Sequence, residues 1–142
     1  MDMEIKIKYF NKEMDPAVKH GDWIDLRAGE TVKLKAGEYK AIPLGIAMEL
    51  PEGCEAMVIS RSSTFKNYGI LHANGVSLID EAYRGDNDEW FYPAFATRDT
   101  EIPFNERICQ FRIQKKQPDF AFTEVSVLGN DDRGGHGSTG RK

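Results

Sequence analysis

The chain has 142 residues, enough for one domain with a real hydrophobic core and with nothing that demands a second. Its formal net charge of −4 argues against a general nucleic-acid binder, whose basic face releases counterions from a phosphate backbone, and no apolar run approaches the length that crosses a bilayer. Cys54 and Cys109 show no Cys-x-x-Cys spacing and His20, His72 and His136 are scattered, so no zinc pattern is present and free thiols in a soluble, cytoplasmic protein are expected.

Short apolar–polar alternation predicts strands over residues 5–9, 31–35, 41–50, 55–59, 89–97, 107–113 and 120–128. Turn punctuation such as Lys35-Ala36-Gly37 and Pro51-Glu52-Gly53 separates them, a spacing that suits an all-β sandwich or barrel. One short helix is predicted after Arg61, capped by Ser62, Ser63 or Thr64, running through residues 65–68 and ended by Gly69. Beyond Leu128 apolar residues nearly vanish, so residues 1–128 read as the β domain and 129–142 as a flexible C-terminal arm. Two segments suit phosphate: Arg61-Ser62-Ser63, and the glycine-rich Arg133-Gly134-Gly135-His136-Gly137-Ser138-Thr139-Gly140. Glycines admit close backbone approach, while arginine and hydroxyls donate.

Five segments, in order, carry a resemblance. They are Gly21-Asp22-Trp23-Ile24-Asp25-Leu26-Arg27-Ala28, Arg61-Ser62-Ser63 with Gly69, the run from Asn74 through Asp80 and Tyr83 to Gly85, Glu106-Arg107-Ile108-Cys109-Gln110, and Arg133 to Gly140. Together, across nearly the whole chain, they resemble the trimeric dUTP diphosphatase (dUTPase) family, and the stretch from Tyr83 to Trp90 is similar to members from Bacillus and its phages.

The resemblance implies a distorted jelly-roll or barrel-like β fold, a homotrimer with three interface active sites, and Mg²⁺-dependent hydrolysis of dUTP to dUMP and pyrophosphate. It implies that Asp80 activates the water. Arg61, Ser62 and Ser63 would contact the α and β phosphates and Gln110 the α end, with Arg133, Ser138 and Thr139, beside His136 and Gly137, closing on the γ side. A hairpin from Asn74 to Asp80, with Leu78 and Ile79, would read uracil, and Tyr83 would lie under the deoxyribose. Asp25 would hold Mg²⁺ through water, with the neighbouring Asp22 a decoy.

The chain departs from the family pattern at three positions. Ser60 stands where proline is usual, Ser77 where glycine is common, and His136 where a phenylalanine generally caps the base. One of Trp90, Phe91 or Phe95 is therefore expected to supply the covering ring. Two alternatives stay open: a dCTP deaminase-like enzyme of the same wider fold, and a phage regulatory protein that binds partners through a dUTPase scaffold.

Overall fold

Along the seven residues of β7 (Cys54–Ser60), alternation becomes burial: Cys54, Ala56 and Val58 are buried and the residues between them half-exposed. The computed structural model describes residues 3–135, with His20 described by its backbone alone. The remaining elements are β1 (Lys6–Tyr9), β2 (Val18–His20), β3 (Trp23–Arg27), β4 (Val32–Leu34), β5 (Tyr39–Pro43), β6 (Ile46–Glu49), α1 (Thr64–Tyr68), β8 (Ile70–His72), β9 (Ser77–Ile79), β10 (Phe91–Ala96), β11 (Thr100–Ile102) and β12 (Arg107–Lys115). All strand pairs are antiparallel. The largest sheet has the order β2-β3-β12-β7-β9, a second has β5-β10-β8, and β1-β6 and β4-β11 form two ribbons. Leu26, Ile42, Ile46, Val58, Ile70, Trp90, Tyr92, Ile108 and Phe111 fill one shared core, each large apolar side chain contributing about 1.5–3 kcal/mol on burial. The expected all-β, jelly-roll-like architecture with a single short helix is the one observed among the described residues.

Four local expectations are corrected. The predicted strand over 41–50 is two strands in different sheets, β5 and β6, broken where Gly45 adopts φ 69° and donates to Glu89 Oε2 at 3.0 Å. No strand occurs at 120–128. Regular structure ends with β12 at Lys115, and Phe122 and Leu128 are 92% and 84% exposed, so alternation there finds no partner strand among the described residues. The helix begins without a serine cap, because Ser63 at the N-cap position makes no side-chain bond, whereas Gly69 closes the helix as expected with φ 65° and a 2.7 Å bond to Phe65 O. Finally, residues 74–80 are not one hairpin: β8 and β9 lie in separate sheets, and residues 73–76 cross between them.

Both cysteines are free and buried. Among the described residues no helix is long and apolar enough to cross a membrane.

Candidate active site

Three neighbouring strands assemble the first cluster. On β3, β12 and β7 the register sets Asp25 beside Gln110 and Gln110 beside Ile59, and β7 then delivers Ser60 and Arg61 at its end. Asp25, 8% exposed, is among the few buried charged residues. Its Oδ2 lies 3.3 Å from Arg61 Nε and 3.3 Å from Arg107 Nη1, so one carboxylate sits between two guanidiniums and the cluster keeps a net positive charge. Arg61 also donates from Nη1 to the Arg107 carbonyl at 3.1 Å, which leaves its other N–H groups available. Gln110 Nε2 donates to Ser60 O at 3.1 Å.

Thr64 fixes this turn. Fully buried, it accepts the Arg61 backbone N–H at 2.8 Å and donates to Ile108 O at 2.8 Å, tying the start of α1 to β12. Ser62 is exposed and Ser63 half-exposed, and neither hydroxyl bonds to a described residue. The adjacent Cys109 thiol is pushed up by complete burial and then by the Asp25 charge, so it stays protonated and unreactive. Burial pushes the Tyr92 hydroxyl up to about 12, and it pairs with Ser60 Oγ at 2.5 Å.

The second cluster borders a cleft of about 430 Å³ lined by Tyr39, Ala41, Ser77, Leu78, Ile79, Asp80, Tyr83, Glu89, Trp90, Phe91 and Pro93. Asp80 is exposed at the end of β9, where its Oδ1 accepts the Ala82 N–H at 2.7 Å and its carbonyl accepts the Tyr83 N–H at 3.0 Å. Glu81 clamps this turn to the sheet, accepting from the Gly53 N–H at 3.0 Å and from Lys116 Nζ at 2.8 Å; these bonds, that to Lys116 first, hold its carboxyl below the usual range. Tyr83 donates its hydroxyl to Glu89 O at 2.6 Å, which fixes the ring at the cleft wall. Asn74 is exposed, and its side-chain amide bonds to no described residue.

Among the three candidate covering rings the structure discriminates. Trp90 is 1% exposed, packs edge-on against Phe111 with centroids 5.3 Å apart, and belongs to the core. Phe91 is 40% exposed and lines the cleft. Phe95 is 41% exposed and pairs with Tyr39 and Leu71 in its sheet, but does not itself line the cleft.

Within one chain the two clusters lie apart. The β7–β9 register, Ala56 opposite Ile79 and Val58 opposite Ser77, carries Asp80 to the level of Glu55. Arg61 stands six residues further along, about 20 Å at strand rise. Arg133 is exposed and donates to Gly134 O at 3.4 Å; His136, Gly137, Ser138 and Thr139 lie outside the described residues.

The dUTPase family model matches residues 4–140. The chain belongs to the dUTPase family. It is 58% identical over 142 residues to the SPbeta prophage-derived deoxyuridine 5′-triphosphate nucleotidohydrolase YosS of Bacillus subtilis (strain 168), covering 99% of this chain and 100% of that one. A dUTPase from phage phi11 of S. aureus, in which a structural Mg(II) ion is coordinated, shares the fold with TM-score 0.76 at 15% identity, covering 89% of this chain and 99% of that one. A dUTPase of Staphylococcus bacteriophage 80alpha, one of the phage dUTPases said to control transfer of virulence genes, shares it with TM-score 0.74 at 17% identity, covering 89% and 99%.

Several residues shape this dUTPase's site through pairings that no local run of sequence states. Thr64, Arg107, Glu81 with Lys116, and Tyr92 with Ser60 act through partners more than 30 residues away, and only the fold brings those partners together. Asp25 fits Mg²⁺ poorly as a direct ligand, since its Oδ2 already serves two guanidiniums, and no group of three or more His, Cys, Asp or Glu that could hold a metal occurs among the described residues. Its Oδ1 bonds to no described residue and suits a water of a hydrated ion. Asp22, 69% exposed at its side chain, is instead paired with Arg112 at 2.9 Å.

Proposed function

We propose that hydrolysis of dUTP to dUMP and pyrophosphate by this dUTPase takes place where the Asp80 cleft of one copy meets the Arg61 cluster of another, in a homotrimer. Along β7 the two lie about 20 Å apart in one chain, which supports this reading. A carboxylate that aligns water on a phosphorus and an arginine that grips the same phosphate chain act within a few ångströms of each other, so one chain cannot supply both.

Asp80 has one oxygen held by the Ala82 N–H and the other available to orient the water and accept its proton as the P–O bond to pyrophosphate breaks. Arg61, with the free hydroxyls of Ser62 and Ser63, takes up the charge that develops on the leaving group, and the Gln110 amide meets the α end. Asp25 Oδ1 would hold a water of a Mg²⁺ ion which, when bound with the nucleotide, would supply charge neutralisation at the phosphate oxygens. Asn74 and the backbone of Leu78 and Ile79 meet uracil, which suits β9 as an edge strand paired with β7 on one side alone. Tyr83 supports the sugar and Phe91 covers the base. Arg133, His136, Gly137, Ser138 and Thr139 close on the phosphates. Two buried, free thiols suit a reducing cytoplasm.

Asp80→Asn tests the assignment of the base. The variant should bind dUTP normally and turn over at least about a hundredfold more slowly; near-normal turnover overturns it. The likeness to the 80alpha dUTPase supports a second, regulatory role with nucleotide as the switch, which a pull-down with and without dUTP addresses.

A further inference from the structure

The turn that carries Asn74 joins two strands with no ladder between them, since β8 pairs with β10 and β9 with β7. The backbone bond from the Gly75 N–H to His72 O, 3.0 Å, closes the turn on the β8 side and does not reach β9. One imidazole spans the gap. His72 Nδ1 accepts the Asn74 backbone N–H at 3.1 Å, and His72 Nε2 lies 2.7 Å from Ser77 Oγ. An imidazole that accepts at Nδ1 carries its proton on Nε2, so Nε2–H donates to the Ser77 hydroxyl.

The ring itself is well held. It stands edge-on to Tyr92, with centroids 5.1 Å apart at 86°, and the Tyr92 hydroxyl pairs with Ser60, next to Arg61. Burial also lowers the imidazole pKa, which favours the neutral form that the acceptor role of Nδ1 requires. A glycine at position 77, common in the family motif, has no hydroxyl to receive the bond.

We propose that His72 is a positioning residue for base recognition, its ring clipping Asn74 to Ser77 so that the turn is already shaped for uracil before the nucleotide arrives. Preorganisation of this kind strengthens binding by removing an ordering cost. The inference rests on residues 74–80 being the base site.

The test is calorimetric binding of dUMP and of inorganic tripolyphosphate to the full-length protein and to His72→Ala, His72→Asn, Ser77→Ala, the His72→Ala/Ser77→Ala double variant and Asn74→Ala. Loss of either partner of the clip should weaken dUMP about tenfold, with the double variant no worse than the weaker single one. His72→Asn, whose amide oxygen can replace Nδ1, should bind dUMP better than His72→Ala. Tripolyphosphate affinity should barely change, and in turnover KM should rise with kcat within about twofold of the natural protein. Unchanged dUMP binding in His72→Ala, additive losses, or equal losses for dUMP and tripolyphosphate would each overturn the proposal. Asn74→Ala separates the two levels: if it alone weakens dUMP the clip fails, and if it leaves dUMP binding intact the base site itself is misplaced.

Discussion

Asp25 holds Arg61 by one oxygen, with Oδ2 3.3 Å from Nε, and that same oxygen receives Arg107 at 3.3 Å. The carboxylate is nearly enclosed while the Arg61 side chain is a quarter exposed, so a buried anion aims a partly exposed cation outward. Asp25→Ala should cost about 1–3 kcal/mol of stability, since it removes charge-assisted bonds inside the protein. It should also cut kcat/KM about 10- to 100-fold by freeing Arg61 to wander. Thermal melting read alongside steady-state kinetics checks both, and Asp25→Asn, which keeps the shape and one acceptor, should lose less.

The adjacent aromatic residues Trp90 and Phe91 differ sharply in burial, 1% against 40% exposed, and should fail differently. Base–aromatic stacking is worth about 1–3 kcal/mol, so Phe91→Ala should raise KM for dUTP about tenfold or more while leaving the melting temperature nearly unchanged. Trp90→Ala removes a core side chain packed on Phe111 and should cost about 3–5 kcal/mol of stability. Urea unfolding and KM measured on both variants distinguish a covering ring from a core ring.

His72 gives this dUTPase a pH dependence whose sign is fixed. Burial lowers its pKa in the folded chain from the ordinary 6.5, so the unfolded chain binds the extra proton more readily. The stability contributed by the neutral ring is therefore fully present above pH 6.5 and is lost as pH falls through the lower folded value. Melting curves between pH 7.5 and 5 should show a decline on the acid side that is shallower in His72→Asn. The two declines should run parallel if the ring is not coupled to folding.

Much of this site is legible in the amino-acid sequence because its chemistry is written in local runs. Arg61-Ser62-Ser63, Asn74 to Tyr83 and Glu106 to Gln110 each present their donors within a few residues, and Gly69 ends its helix where the glycine predicts. Interactions across the fold are not legible there. No local pattern pairs Thr64 with Ile108 or Glu81 with Lys116. Strands of three residues such as β2, β8, β9 and β11 are too short for alternation to declare itself. Residues 120–128 fail in the opposite sense: alternation states which face a strand would bury, and cannot state that a partner strand lies in the same chain. Residues 74–80 read as a hairpin because Asn-Gly is a strong turn signal, yet a turn fixes only the reversal of the chain and not which sheets its two legs join.

In the proposed homotrimer, Asp80 and Arg61 of different copies meet in one active site. Asp80→Asn and Arg61→Ala proteins, each nearly inactive alone, should be unfolded together, refolded as a mixture and assayed for pyrophosphate release from dUTP. Shared sites built from the intact Asp80 of one copy and the intact Arg61 of another should restore turnover well above either protein refolded alone. A mixture no more active than the average of its two components would show that no site is shared between copies.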